Sequence, residues 1–328
     1  MTEEKIGITG TGYYLPEKVL TNADLEKMVD TTDEWIMERT GIRERRIIAP
    51  GETVSSMAEQ ASRQAIAAAG LEPEDIDLII LGTITPDTPL PAAACLLQRR
   101  LGNKTAASFD ISAACCGFIY ALELREKMLR GGRYRNALIV AAEALSVVTD
   151  WEDRNTCVLF GDGAGAAVLT KDSGGHRILD SFIRSDGEYS SLLIIEAGGS
   201  ACPISIEQIE QRRHFIQMEG NKVFKLAVSS MVRASKEVLR RAGLTIDDVT
   251  WLLPHQANLR IMKAVAKGLK LPEEQVYINV DRYGNMSGAT VPIGLAEMDH
   301  NGVLKPGDLL LMVAFGGGLT WAASLVRW

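Results

Sequence analysis

Three residues of this 328-residue chain have types and positions suited to covalent chemistry: Cys115, His255 and Asn285. Cys115 lies in DISAACCGFIYAL, where an extended segment, 108–111, gives way through small residues to a helical pattern from Gly117. A thiol at a strand-to-helix turn meets the positive end of the helix dipole, which favours the nucleophilic thiolate. A cysteine there is either such a nucleophile or a packed core residue, cysteine being among the most buried side chains. Cys116, one step on, points elsewhere and reads as packing. His255 opens a polar His-Gln-Ala-Asn cluster directly after the apolar Trp251-Leu252-Leu253 and Pro254, at the strand end where α/β sheets hold ligands. Asn285 sits in the Gly-containing loop DRYGNMSGATVP, as turn chemistry or as a hydrogen-bond donor. Gly316-Gly317-Gly318 is either a turn or a place where backbone N–H groups approach an oxyanion. His176, His214 and His300 have no comparable setting.

These residues need a scaffold. The runs Asp77–Leu81, Ala137–Ala141, Ala164–Leu169 and Leu309–Val313 are short, apolar and bounded by turn residues, so they read as strands buried on both faces. Helical patterns cover 54–69, 117–130, 223–242 and 259–269, and the first ends at Gly70, a residue that accepts left-handed geometry. The alternation predicts a layered α/β fold. Residues 69–81 (AGLEPEDIDLIIL) and 242–254 (AGLTIDDVTWLLP) match at an offset of 173, each after a helix. The offset predicts a duplicated fold whose halves join near Lys171–Gly175, giving units 1–174 and 175–328.

Composition narrows the function. A net charge of −7 without basic blocks argues against a nucleic-acid binder. Five cysteines, an odd number without CxxC, and a start without an apolar leader run predict reduced thiols in the cytoplasm. No apolar stretch approaches the length that spans a membrane. Gly10-Thr11-Gly12 is followed by a helix-breaking Tyr-Tyr-Leu-Pro, and the glycines of 161–165 lead into a strand, so neither reads as a nucleotide-cofactor loop. The 140 residues from Cys115 to His255 fit the order of a papain-like protease, but the CG[SA]C[WY] motif is absent.

DISAACCGFIYAL, LLPHQANLRIM, DRYGNMSGATVP and AFGGGLTWAASLVRW, together with TNADLEKMVDTTDEWIMERTGIRERR near the start, resemble the active-site segments of the β-ketoacyl-acyl-carrier-protein synthase III family. The likeness runs from Ile6 to Trp328. It implies a thiolase-like, five-layer αβαβα fold built from two duplicated halves, and a homodimeric, cofactor- and metal-free cytoplasmic acyltransferase of fatty-acid biosynthesis. The resemblance implies that Cys115 takes an acyl group from a short acyl-CoA, acetyl-CoA above all. The oxyanion is then held by the backbone N–H groups of Cys115 and Gly317. His255 and Asn285 would stabilise the enolate formed when malonyl-acyl-carrier protein loses CO₂. An Asn suits a decarboxylating condensation better than a thiolase, which uses a second Cys as base.

Family positions carried onto this chain place Trp35 and Arg154 about the CoA adenine, with Thr31 and Arg39 nearby, and Gly220 and Asn258 on the pantetheine arm. Leu90 stands where some members have a Phe that the partner subunit contributes to the acyl pocket, so a longer or branched primer stays open. Arg260, Lys263 and Lys267 share one helix face at spacings of 3 and 4, a dock for an acidic carrier protein. The segment 196–216 reads as a polar loop near the substrate entrance. Two alternatives remain at this level: a relative with another primer or acceptor in secondary metabolism, and a non-catalytic CoA- or carrier-binding protein.

Overall fold

The computed structural model describes residues 6–171 and 174–328, apart from the side chains of Glu126 and Arg130. Residues 1–5, which entered the leader reading, and 172 and 173 of the expected join lie outside the described residues. The strands of the main sheet are β1 (Ile6–Tyr14), β2 (Leu78–Gly82), β3 (Ala107–Ile111), β4 (Asn136–Ala144), β5 (Asp162–Lys171), β6 (His176–Ser185), β7 (Trp251–Pro254), β8 (Leu309–Gly316) and β9 (Thr320–Arg327). Their spatial order is β7-β8-β9-β6-β1-β5-β4-β2-β3. The four short apolar runs of the sequence lie in these strands, except that Asp77 precedes β2. β2 and β8 are buried along their whole length, because both faces are covered and a continuous apolar run is what such a strand needs.

The order is mirrored about the centre. Outward from β1, the partners are β5 and β4, antiparallel, then β2 and β3, parallel. Outward from β6, they are β9 and β8, antiparallel, then β7, parallel, with a parallel bridge from Leu252 to Val276 in the last place. Among the described residues, the strand pairing between the two sets is Gly7↔Arg177 and Ile8↔His176.

Helices complete five layers. α1 (Val54–Ala68) and α2 (Ala93–Leu101) cover the outer face of the first set, and α4 (Gly220–Ala242) and α5 (Leu259–Leu269) that of the second. Between the sets lie α3 (Gly117–Arg130) and α6 (Thr290–His300). Their Phe118, Leu122, Val291 and Leu295 share one apolar cluster with residues of both sets of strands. α1 turns Val54, Met57, Ala58, Ala61 and Ala65 inward, the helical spacing that its sequence shows. Gly10 and Gly12 allow it to lie against β1: a β-carbon at Gly12 would sit 2.3 Å from the Ala61 carbonyl oxygen. These glycines serve packing.

The repeated segment is reproduced in detail. α1 and α4 each end at a left-handed glycine, Gly70 at φ 68° and Gly243 at φ 69°. A single 3-10 turn follows, Pro73–Asp75 and Ile246–Asp248, each with a capping box closed by its last Asp, and then β2 or β7 begins. Every one of these landmarks is displaced by the offset of 173 found in the sequence.

Candidate active site

Cys115 belongs to a 3-10 turn, Ala114–Cys116, between β3 and α3. Ala114 stands at φ 45°, a left-handed conformation that costs a non-glycine residue of order 1 kcal/mol and is typical of functional turns. From β8, Gly316 packs against this turn so closely that a β-carbon there would lie 2.7 Å from the Cys115 amide nitrogen. Gly317 follows, with Ala114 and the Leu193 carbonyl against it. The glycine run and the cysteine amide therefore share one wall.

His255 directly follows β7, and its N–H bonds the Val313 carbonyl of β8 at 2.7 Å. Its Nδ1 lies 2.6 Å from Thr290 Oγ1 at the start of α6. The next residue, Gln256, is wholly buried with both amide atoms used: Nε2 donates to the Pro254 and Tyr277 carbonyls, and Oε1 accepts from the N–H groups of Asn279 and Val280. That clamp fixes the loop carrying the imidazole. Asn285 is held by backbone bonds to Leu159 and Gly161. Its Oδ1 accepts from the Ser287 N–H at 2.8 Å, which leaves the Nδ2 hydrogens as the outward donors.

The segment 285–290 is the hub. It carries Asn285, it supports His255 through Thr290, and its turn Ser287–Ala289 packs on the Ala114–Cys116 turn. Cys115, His255 and Asn285 are thus brought to one buried site from three distant stretches of chain.

Electrostatics at the site are set by burial. The Cys115 thiol is pushed up to about 12 by desolvation, so the low thiol pKa expected from the helix N-terminus is overturned. Burial was not readable from the turn sequence, and it disfavours the thiolate. Burial pushes His255 down to about 3, which leaves the imidazole neutral. Cys116 is fully buried in the core, as expected.

The residues expected at the CoA rim also meet. Arg39 and Arg154 lie over the Trp35 ring, 4.5 and 5.1 Å from its centroid, and Arg154 donates to the Asp30 carbonyl at 2.7 Å. Thr31 Oγ1 is buried without a hydrogen-bond partner. Asn258 caps α5 by accepting from the Arg260 N–H and donates to the Arg39 carbonyl, tying this helix to the rim. Gly220 starts α4 just after Met218, which packs in the same apolar cluster as Trp35 and Leu259.

Leu90 is 85% exposed. Arg260, Lys263 and Lys267 are exposed on α5, where Arg260 lies over Phe224 and Lys263 pairs with Glu273 at 2.8 Å. The segment 196–216 contains a short helix, Ile206–Glu210, and is anchored by the Arg213–Glu196 and Arg212–Asp150 ion pairs.

Four buried polar residues at or beside the site escaped the sequence reading. Three of them are Thr290, Ser287 and Glu143. The fourth is Arg45, whose guanidinium donates to the Leu20 and Val158 carbonyls and to Asn22, pinning the rim segment to the stretch that holds Asn285. A lone Glu closing the apolar run NALIVAAEA was the one visible signal among them.

Among the described residues, no group of three or more His, Cys, Asp and Glu side chains is placed to hold a metal ion, and no helix is long and apolar enough to cross a membrane.

Fold and site together define a thiolase-like α/β condensing enzyme, and comparison with known proteins makes the class specific. Residues 109–187 match the profile of 3-oxoacyl-[acyl-carrier-protein (ACP)] synthase III, and 239–328 that of its C-terminal region. The β-ketoacyl-[acyl-carrier-protein] synthase III of Caldanaerobacter subterraneus subsp. tengcongensis is 54% identical over 327 residues, covering 99% of each chain. That of Roseiflexus castenholzii is 50% identical, covering 98% of this chain and 97% of its own. The crystal structure of 3-oxoacyl-[acyl-carrier-protein] synthase III from Aquifex aeolicus superposes with a TM-score of 0.91 at 48% identity, covering 98% of this chain and all of that one. The chain belongs to the β-ketoacyl-acyl-carrier-protein synthase III family.

Proposed function

We infer that this protein starts fatty-acid synthesis by joining a short acyl group, acetyl above all, from acyl-CoA to malonyl-acyl-carrier protein, releasing CoA and CO₂ and giving 3-ketoacyl-acyl-carrier protein. The observation that carries the reading is the convergence of Cys115, His255 and Asn285 through the 285–290 hub. Cys115 sulfur attacks the acyl-CoA thioester, and the backbone N–H groups of Cys115 and Gly317 receive the oxyanion. CoA leaves and the malonyl thioester takes its place. As CO₂ departs, charge grows on the thioester oxygen, and Asn285 Nδ2 and His255 Nε2 donate to it. A neutral imidazole donates from Nε2 only if Nδ1 accepts, which requires the proton of Thr290 Oγ1, 2.6 Å away, to be given to Nδ1 and not to the Ser287 carbonyl. The enolate carbon then attacks the acyl-cysteine. No separate base is required, because carbon dioxide leaves in place of a proton.

Thr31, Trp35, Arg39, Arg154, Gly220 and Asn258 form the CoA path in this scheme, and Arg260, Lys263 and Lys267 the dock for the carrier. Each chain comprises two repeats, 1–174 and 175–328, and two such chains form a cytoplasmic homodimer in which Leu90 of one chain reaches the partner's acyl pocket. Its exposure in the single chain supports that role. The scheme is complete with the chain's own groups and two thioesters.

The test incubates the purified protein with radiolabelled acyl-CoAs of graded length, with and without malonyl-acyl-carrier protein. CoA release, acyl-Cys115 and a ketoacyl product are expected. Cys115→Ala abolishes acylation, and His255→Ala loses condensation while acylation survives. Absence of both CoA release and product from the unmodified protein overturns the reading.

A further inference from the structure

The acylation chemistry leaves one buried acid unused. Glu143, near the end of β4, is wholly buried. Its Oε2 accepts from Thr85 Oγ1 at 2.6 Å and Thr83 Oγ1 at 3.1 Å, and the Ile84 N–H points at both carboxylate oxygens. These donors favour the anion, yet desolvation wins and pushes the carboxyl up to about 7. A group so placed exchanges a proton near neutrality.

Between Glu143 and Cys115 stands Ser287. It is 3% exposed, adopts φ 47°, and its Oγ has no hydrogen-bond partner at ordinary distance. The hydroxyl is nonetheless near enough to Cys115 and to Glu143 to lower the pKa of each. The position is wedged: a β-carbon on the adjoining Gly288 would lie 3.0 Å from the Ala114 carbonyl and 3.7 Å from Ala141 of β4. An uncommitted hydroxyl therefore faces a thiol that has to lose its proton and a carboxyl group able to hold one. Hydrogen bonds of this kind are often long before substrate binds and tighten with it.

The titratable groups on the elements around Glu143 are few. Cys115 feels its charge across Ser287, and Cys116 is buried beside Cys115. Asp162, on the neighbouring β5, is turned to Ser146 and the Ile48 N–H. His255 joins the same hub through Thr290.

We propose that Ser287 and Glu143 form a proton relay for Cys115. As Sγ attacks the acyl-CoA carbonyl carbon, the thiol proton passes to Ser287 Oγ while the serine hydroxyl proton passes to the Glu143 carboxylate. The tetrahedral adduct collapses by breaking the bond from carbon to the CoA sulfur. The proton then returns from Glu143 through Ser287 to the departing thiolate, so CoA leaves as the thiol and Glu143 as the carboxylate. Ser287 meets the reacting sulfur, and Glu143 acts through it. The relay rests on the reading of Cys115 as the acylated nucleophile.

The experiment measures the rate of Cys115 alkylation by iodoacetamide across neutral pH, followed on the Cys115 peptide by mass spectrometry, alongside Cys115 acylation by acetyl-CoA. The unmodified protein should show an inflection near pH 7. Glu143→Gln and Ser287→Ala should remove it and slow labelling at pH 7 by about tenfold or more, while Glu143→Asp retains it. Ser287→Ala deletes a hydroxyl without a close partner, so its folding is the safeguard should Glu143→Gln fold poorly. A folded Ser287→Ala protein with the parent pH profile overturns the relay, as does loss of the inflection in Glu143→Asp. If acetyl-CoA leaves Cys115 unacylated while the alkylation inflection responds to the variants as expected, the acylation reading fails, and with it the return of the proton to CoA, while the proton coupling of Cys115 to Ser287 and Glu143 stands. If acylation proceeds with one pH profile in every variant, the relay fails and the acylation reading stands.

Discussion

Thr290 Oγ1 lies 2.6 Å from His255 Nδ1 and 3.0 Å from the Ser287 carbonyl, and it has one proton to give. Given to Nδ1, that proton leaves Nε2 protonated and facing outward as a donor; given to Ser287, it reverses the tautomer. Thr290→Val keeps the volume and removes the choice. It leaves a buried ring nitrogen unpaired, at a cost of about 1–3 kcal/mol. The expected result is a fall in condensation of roughly tenfold to a hundredfold, with Cys115 acylation by acyl-CoA much less affected and Thr290→Ser restoring most of the loss. Separate assays of the two half-reactions check this, and full condensation activity in the Val variant would show that Thr290 does not set the tautomer. Cys115, His255 and Asn285 were legible because their residue types, loops and chain order suit acyl chemistry. Thr290 and Ser287 were not, because a hydroxyl in a loop carries no local mark of the partner that folding brings to it. The thiol was misjudged for a related reason: dipole position can be read from a turn, but burial depends on what packs over it.

At the level of elements, the short apolar runs and Ala-rich helices were found to within a few residues, since strands buried on both faces admit little but apolar side chains. Close approach was harder to see. Gly316-Gly317-Gly318 reads from sequence as a turn or an oxyanion loop, with no sign that Gly316 lies against the Cys115 turn, where Gly316→Ala would drive a β-carbon to 2.7 Å from the cysteine nitrogen. Acylation should drop by two orders of magnitude or so, with a stability loss of about 1–3 kcal/mol. Acyl-enzyme yield and urea unfolding report the two effects. The repeated helix end offers a cleaner test. A β-carbon at Gly70 or Gly243 meets nothing within 4 Å, so only the positive φ is strained. Gly70→Ala and Gly243→Ala should therefore each cost about 1 kcal/mol, and the double variant about the sum. Unequal costs in urea titrations would mean that the two ends, alike in geometry, are not alike in context.

For the molecule as a whole, the same buried groups that make the site also shape its response to pH. Glu143 has its pKa raised from 4.5 to about 7, so the folded protein holds a proton that the unfolded chain releases. The stability from that group is full below 4.5 and is lost as pH rises through about 7, on the order of 3 kcal/mol over the span. His255 runs the other way. Its pKa is lowered from 6.5 to about 3, so its contribution is full above 6.5 and is lost as pH falls toward 3. Between about 4.5 and 6.5 the two slopes oppose each other, and the folded state is insulated from pH across that window. Glu143→Gln removes the falling limb on the alkaline side. Relative to the parent, the variant should gain stability steadily from about pH 4.5 to 7 and level off above that, seen as a difference in urea midpoints that widens and then holds constant. In the acid range it should lose the compensation for His255 and fall away faster. A constant difference in midpoint across both ranges would place the proton of Glu143 outside the folding equilibrium, and with it the claim that this carboxyl changes state near neutrality.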